Sequence, residues 1–212
     1  MESSDWIELT DLAVDCVVGV LEREQRAPQK VTIDVRLFLS LEQPGESGDL
    51  ARSTDYATVA SHIRMIALHG RFRLLESLGE AITRLLLAPP TAGERRAQIE
   101  RVDVRIRKPE ILVGAIPGVR LLRTAGRQLS TFEVAPGGWS EILVDLPQGG
   151  AWRVRLDPAT RWQPPPDLAI EVIAGSVEGE AQQVYRPGDR LGRGASLLMA
   201  HGPATLLAVG RW

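Results

Sequence analysis

Between Val31 and Leu39 every second residue is apolar: Val31, Ile33, Val35, Leu37 and Leu39 alternate with Thr32, Asp34, Arg36 and Phe38. A period of two predicts a long strand with one buried face. Residues 6–20 before it are apolar and rich in β-formers, which predicts a partner strand with a turn near Thr10-Asp11, ended by Gly19. The polar segment Leu21–Lys30 then reads as a loop, and residues 6–40 as a hairpin with a long connection. Gln43–Ser53 is a second loop, containing glycine and acids. After Tyr56 the period changes: Val59, Ile63 and Ile66 share one face of a helix that Gly70 is placed to end at its C′ position. Leu75, Leu78, Ile82, Leu85 and Leu86 predict a second helix, stopped before Pro89-Pro90. A polar connection, Thr91–Glu100, leads to a third strand at Val102, Val104 and Ile106. A fourth follows at Val119–Arg123, after an irregular Lys108–Gly118. The order ββααββ predicts an α+β domain with both helices on one face of a four-stranded antiparallel sheet.

Helical periodicity stops after Arg123. Eight of the 14 prolines and four of the five tryptophans (Trp139, Trp152, Trp162, Trp212) lie beyond it, among short apolar segments at 140–144, 151–156, 168–174, 195–200 and 204–209. Short segments separated by Gly and Pro turns predict an all-β sandwich or barrel. The expected division is therefore 1–123 and 124–212, with the boundary near Thr124-Ala125-Gly126.

Composition narrows the function. A net charge of −2 draws the chain neither to nucleic acid nor to an anionic membrane. Met1–Asp5 lacks the features of a signal peptide and no apolar run is long enough to span a bilayer, so a cytoplasmic protein is expected. Cys16 is the only cysteine, which rules out an internal disulfide or a thiolate metal cluster; in its apolar run it reads as a core residue. Of 25 basic residues only Lys30 and Lys108 are lysines. A lysine in a pocket can give up its proton, whereas arginine cannot.

Glu76 falls in the first turn of the second helix, where the dipole favours a charged carboxylate. Its two oxygens match a planar edge with two adjacent N–H donors, such as a guanidinium or the 2-amino-pyrimidinone edge of a pterin. First-turn acids also commonly serve only the helix. Glu24 in the first loop, Tyr56 at the start of helix one and Lys108 at the end of strand three also occupy element ends, where functional groups concentrate. An acid, a phenol and an amine suit proton transfer. His62 and His69 read as helix-surface or capping residues.

The blocks Val18-Gly19-Val20-Leu21-Glu22-Arg23-Glu24-Gln25-Arg26-Ala27-Pro28-Gln29-Lys30-Val31, Ser53-Thr54-Asp55-Tyr56-Ala57, Arg71-Phe72-Arg73-Leu74-Leu75-Glu76 and Lys108-Pro109 resemble dihydroneopterin aldolase, in family order and over residues 5–123. The resemblance implies a tunnelling fold whose subunits join edge to edge into a tetrameric barrel, two rings commonly stacking into an octamer. Active sites then lie between subunits of a homo-oligomer. It further implies that Glu76 and the Leu75 backbone hold the pterin, that Tyr56 arrives from a neighbouring subunit, and that Glu24 and Lys108 are catalytic. The reaction implied is retro-aldol cleavage of 7,8-dihydroneopterin, a lyase step of folate biosynthesis with no metal, Schiff base or other cofactor. The family position after Lys108-Pro109 usually carries small residues and no proline, whereas here Glu110–Val119 includes Ile111, Leu112, Val113, Ile116 and Pro117.

In the second part, Leu168–Glu178 followed by Tyr185-Arg186-Pro187-Gly188-Asp189 resembles a cupin strand and turn. Where metal-binding cupins place two histidines this chain has Gln163-Pro164-Pro165-Pro166, and His201 is the only histidine of this part, so no metal is expected. Two alternatives stay open beside the aldolase. One is a non-catalytic pterin-binding or regulatory protein with the cupin-like part as its sensor. The other is an epimerase of dihydroneopterin or its triphosphate, with Arg71, Arg73, Arg105 and Arg107 either contacting phosphate or forming solvated faces.

Overall fold

The computed structural model describes residues 5–212. They form two compact units: one runs to Pro90 and takes up again over Arg95–Arg127, and the other comprises Thr91–Glu94 and Gln128–Trp212.

In the first unit, β1 (Trp6–Cys16), β2 (Gln29–Phe38), β3 (Arg101–Arg107) and β4 (Gly118–Thr124) pair in sequence order, all antiparallel. Val31, Ile33, Val35 and Leu37 of β2 are at most 1% exposed, so the period-two pattern marks the face that is buried. Across it lie α3 (Tyr56–His69), packed on β1, and α4 (Leu75–Leu87), packed on β3 and β4. Their apolar stripes, Val59, Ile63 and Ile66 and then Leu78, Ile82, Leu85 and Leu86, are buried. Full burial of each such aliphatic side chain contributes about 1.5–3 kcal/mol. The ββααββ arrangement is thus as the sequence predicts.

Some local details differ. At Thr10-Asp11 the chain makes a β-bulge between Leu9 and Leu12 instead of a turn. Asp11 takes a left-handed φ of 52° and its N–H donates to Asp34 Oδ1 at 2.9 Å, so the strand continues on the far side. The 21–30 loop contains a five-residue helix, α1 (Glu22–Arg26), and the 43–53 loop contains α2 (Glu42–Ser47) and a 3-10 turn at Leu50–Arg52. Gly70 is right-handed, with φ −74°, and Arg71 carries the positive φ of 49°. Glycine is needed at 70 for space: a Cβ there would lie 2.2 Å from the Phe72 ring. His62 is buried, not on the helix surface. Cys16 is 2% exposed, and burial, its main influence, pushes the thiol up to about 11.

The alternate residues of the sheet form a charged second face. Arg36 pairs with Glu8 at 2.8 Å, Arg107 with Asp34 at 2.9 Å and Asp11 at 2.8 Å, and Arg120 Nε with Asp103 at 2.9 Å. With Arg105 they line a groove of about 310 Å³. The hydrogen bond from Arg120 holds the Asp103 carboxyl below the usual carboxylate range, against the opposing effect of burial.

The second unit is all-β. Its strands are β5 (Thr131–Ala135), β6 (Gly138–Leu146), β7 (Gly149–Leu156), β8 (Arg161–Trp162), β9 (Ala169–Ala174), β10 (Val177–Glu178), β11 (Val184–Tyr185), β12 (Arg190–Leu191), β13 (Leu198–Ala200) and β14 (Ala204–Gly210). They form two antiparallel sheets, β11-β10-β13-β8 and β12-β9-β14-β7-β6-β5. The core between them includes Trp152, Val154, Trp162, Leu168, Ile170, Leu198 and Leu206. These two sheets bear out the all-β sandwich or barrel that the short apolar segments predict. His201 Nε2 lies 2.9 Å from Glu178 Oε2. No helix among the described residues is long and apolar enough to cross a membrane.

Candidate active site

β1 leaves the sheet after Cys16, and the next residues turn back so that α1 can point one side chain inward. That side chain is Glu24, the only buried residue of α1. As the N3 residue it reaches back to the helix start, where its Oε2 accepts the Leu21 N–H at 3.0 Å. Its other oxygen accepts a hydrogen bond from Lys108 Nζ at 2.8 Å. The same Nζ donates to the Val18 carbonyl at 2.9 Å. The two side chains are only 11% and 8% exposed. Gln29 Nε2 also donates to the Val18 carbonyl and lies 3.5 Å from Glu24 Oε1. An ammonium and an amide thus share two acceptors. Burial pushes the Glu24 carboxyl up, but the donors from Lys108, Leu21 and Gln29 outweigh it and hold Glu24 below its usual value.

Gly19 makes this packing possible. Its φ is +152°, and a Cβ on it would sit 2.3 Å from both Cδ and Oε2 of Glu24. Its N–H donates to the Phe72 carbonyl at 3.2 Å, which docks the Glu24 loop against the 71–76 stretch. Phe72 is 2% exposed beneath, while Arg71 and Arg73 on either side of it are exposed.

From Leu74, α4 begins at Leu75, with Glu76 exposed in its first turn. The first intrahelical bond runs from the Leu78 N–H to the Leu74 carbonyl, which leaves the Leu75, Glu76 and Ser77 N–H groups without intrahelical acceptors. A carboxylate beside outward-facing N–H donors can meet a planar heterocycle with both donor and acceptor atoms on its edge.

Lys108 and Glu24 therefore come together, and the Gly19–Phe72 bond ties their loop to the segment that carries Leu75 and Glu76. Tyr56 does not join them. It is the first residue of α3 and 62% exposed. The opposite end of that helix adjoins Phe72 and Gly19. At 1.5 Å per residue, 14 residues put Tyr56 about 20 Å away along the axis. Arg105 and Arg107 lie in the groove on the charged sheet face, away from this pair.

The loop after Lys108 is closed at its base, where the Lys108 N–H donates to the Pro117 carbonyl at 3.0 Å. Pro117 lacks a donor, and it is used here as an acceptor. Gly118 is needed beside it, since a Cβ would come within 2.5 Å of the Ile106 carbonyl. Leu112, Val113 and Ile116 in between are exposed.

Gln29 and Gly19 belong to this cluster by their contacts with Val18 and Glu24, and sequence reasoning assigned neither of them a role in it. A signal for Gln29 existed: extending the alternation of Val31 and Ile33 back by one step puts a polar residue on the buried face, where it needs a partner.

The family model for dihydroneopterin aldolase, FolB, matches residues 7–121. A dihydroneopterin aldolase of Methylorubrum extorquens is 34% identical over 133 residues, 61% of this chain and 98% of that protein. The Escherichia coli dihydroneopterin aldolase is 30% identical over 84 residues, 40% of this chain and 69% of that protein. Among solved structures, the FolB protein of Vibrio cholerae superposes with a TM-score of 0.52 at 28% identity, covering 57% of this chain and 98% of that one. The Escherichia coli enzyme in complex with neopterin gives 0.50 at 26% identity, covering 56% and 98%.

Proposed function

The chain belongs to the dihydroneopterin aldolase family, and we propose that its first unit cleaves 7,8-dihydroneopterin into 6-hydroxymethyl-7,8-dihydropterin and glycolaldehyde, with Glu76 as the pterin anchor and Lys108 as the proton-transfer group. The observation that carries the reading is the buried contact of 2.8 Å between Lys108 and Glu24. A buried ion pair contributes little net stability, so retaining one at a loop base points to chemistry.

In this reading the Glu76 carboxylate accepts from the 2-amino and N3–H groups of the pterin, and the Leu75 N–H supports the same edge. The trihydroxypropyl side chain then extends toward Lys108 and Glu24. Loss of the C2′ hydroxyl proton breaks the C1′–C2′ bond and frees glycolaldehyde. The electron pair passes into the N5=C6 imine, giving a C6=C1′ enamine protonated at N5. Protonation at C1′ and loss of the N5 proton restore the imine. The substrate is thus its own electron sink, and the protein need only place protons and charge. Lys108, through water, moves the proton at the hydroxyl, while Glu24 holds the side-chain hydroxyls or that water. Tyr56 serves C1′.

In this reading Tyr56 does so from another copy of the chain, since within one chain about 20 Å of α3 separates it from the helix end that adjoins Phe72 and Gly19. Among the described residues, the outer edges of β1 and β4 have no neighbouring strand in the sheet. Pairing such edges between copies satisfies their backbone groups and brings one chain's Tyr56 toward another chain's Lys108. The reading is tested by incubating the purified protein with 7,8-dihydroneopterin and assaying both products. Pterin binding without glycolaldehyde would overturn it in favour of the regulatory alternative.

A further inference from the structure

The interior of the second unit contains two polar groups that the fold does not use. Trp152, on β7, is 1% exposed, and its indole N–H is buried with no acceptor within reach; Ser140, on β6, is 0% exposed, and its hydroxyl likewise has no partner. Directly paired residues of neighbouring strands share a face. Ser140 pairs with Val154 and Phe132, and Ile142 pairs with Trp152, so both polar groups lie on the face that forms the core. A buried donor left unmatched is costly, and a native protein that keeps one needs a reason for it.

Trp152 belongs to a cluster of four aromatic rings. Trp212 meets the edge of Phe132 at 5.1 Å between centroids with an 87° interplanar angle, lies 5.2 Å from Trp152, and stacks on Trp162 at 6.0 Å and 20°. Trp162 is 1% exposed, whereas Trp212 is 38% exposed and stands outside any strand, beyond β14. Trp212 is thus a flat ring laid over an aromatic floor, and it leaves the floor's N–H unmatched. Phe132 and Ile142 beside it are only partly buried.

We propose that this end of the second unit binds a small, neutral, flat aromatic molecule carrying one hydrogen-bond acceptor, and that Trp212 covers the site and gives way to the ligand. The acceptor takes the Trp152 N–H, and the ring replaces the Trp212 indole on Trp162. One indole N–H and one hydroxyl against many apolar atoms also say what is refused. A pterin has polar atoms around most of its edge and would leave most of them unpaired, so this site differs in chemistry from the one at Glu76.

Quinoline and naphthalene test the idea, since they share shape and only quinoline has an acceptor. The full chain is titrated with each by equilibrium dialysis, together with its Trp152→Phe and Trp212→Ala variants. A single matched hydrogen bond predicts that quinoline binds about five- to tenfold more tightly than naphthalene. Trp152→Phe abolishes that preference, and Trp212→Ala strengthens the binding of both probes. In the unmutated chain labelled with 5-fluorotryptophan, quinoline at saturation shifts the Trp212 resonance, which needs no variant to fold. Equal affinities for the two probes, or an unmoved Trp212 resonance, overturn the proposal. Aldolase turnover plays no part in these readouts, so their outcome is independent of the first unit's activity.

Discussion

Gly19→Ala offers a direct test of how the Lys108–Glu24 pair is held. The added Cβ would lie 2.3 Å from the Glu24 carboxyl, where ordinary contact begins at 3.4 Å, so the carboxyl must retreat by about 1.1 Å. The carboxylate that Lys108 now meets at 2.8 Å must then move, so that contact loses its present geometry. The backbone adds its own strain, because φ at Gly19 is +152°, which L residues rarely adopt; such strain costs about 1–3 kcal/mol. Overpacking adds a similar amount, about 1–3 kcal/mol. A displacement of about 1 Å in a catalytic constellation lowers turnover roughly a hundredfold. Glu76 lies on α4, beyond Phe72 and out of the Glu24 loop, and pterin affinity should stay within about threefold. Urea unfolding gives the stability, steady-state formation of glycolaldehyde gives kcat, and fluorescence titration with neopterin gives the affinity. A Gly19→Ala protein of normal kcat would refute the view that Gly19 is there to make room for Glu24.

Glu76→Ala should weaken pterin binding about ten- to a hundredfold, as expected for a lost charge-assisted pair, with an unchanged melting curve; unaltered neopterin affinity would remove Glu76 as the anchor. Lys108→Ala should lower kcat far more than it weakens pterin binding, and should cost about 3–5 kcal/mol in urea unfolding because it strands a buried carboxylate. Glu24 is held below its usual 4.5, so its share of stability is present above that value and is lost as pH falls through the lower folded value. Urea melts from pH 6 down to about pH 2 should therefore show a steeper acid loss in the parent than in Glu24→Gln, and parallel curves would contradict the assignment. If Tyr56 serves a neighbouring copy, mixing inactive Tyr56→Phe and Lys108→Ala chains by joint refolding should restore about a quarter of parental activity, since one site in four then has both groups intact. No recovery in a mixed oligomer would place Tyr56 and Lys108 in the same chain.

The sequence alone determined the order of elements and which face of each is buried, because burial follows periodicity and periodicity can be counted: Val31 to Leu37 and Leu78 to Leu86 mark one core from two sides. It also marked Glu24, Tyr56, Glu76 and Lys108 as an ordered set of element-end groups. Tertiary structure decided what those groups do to one another. Lys108 meets Glu24 across 84 residues of chain, and no local pattern records such a contact. Gln29 was hidden because its role comes from the Val18 carbonyl opposite it, and Gly19 because its need for space is set by a side chain five residues on that folds back. Gly70 looked like a helix stop by local rules, yet the ring of Phe72 is what requires it. That Tyr56 stands about 20 Å along α3 from the end that adjoins Phe72 could be found only once the helix had a direction, and it is this separation that motivates the proposal of a site shared between copies. Trp212 is similar in kind: the sequence shows a tryptophan after the last strand, and only the fold brings it onto Trp162 and beside Trp152, whose buried indole N–H has no partner.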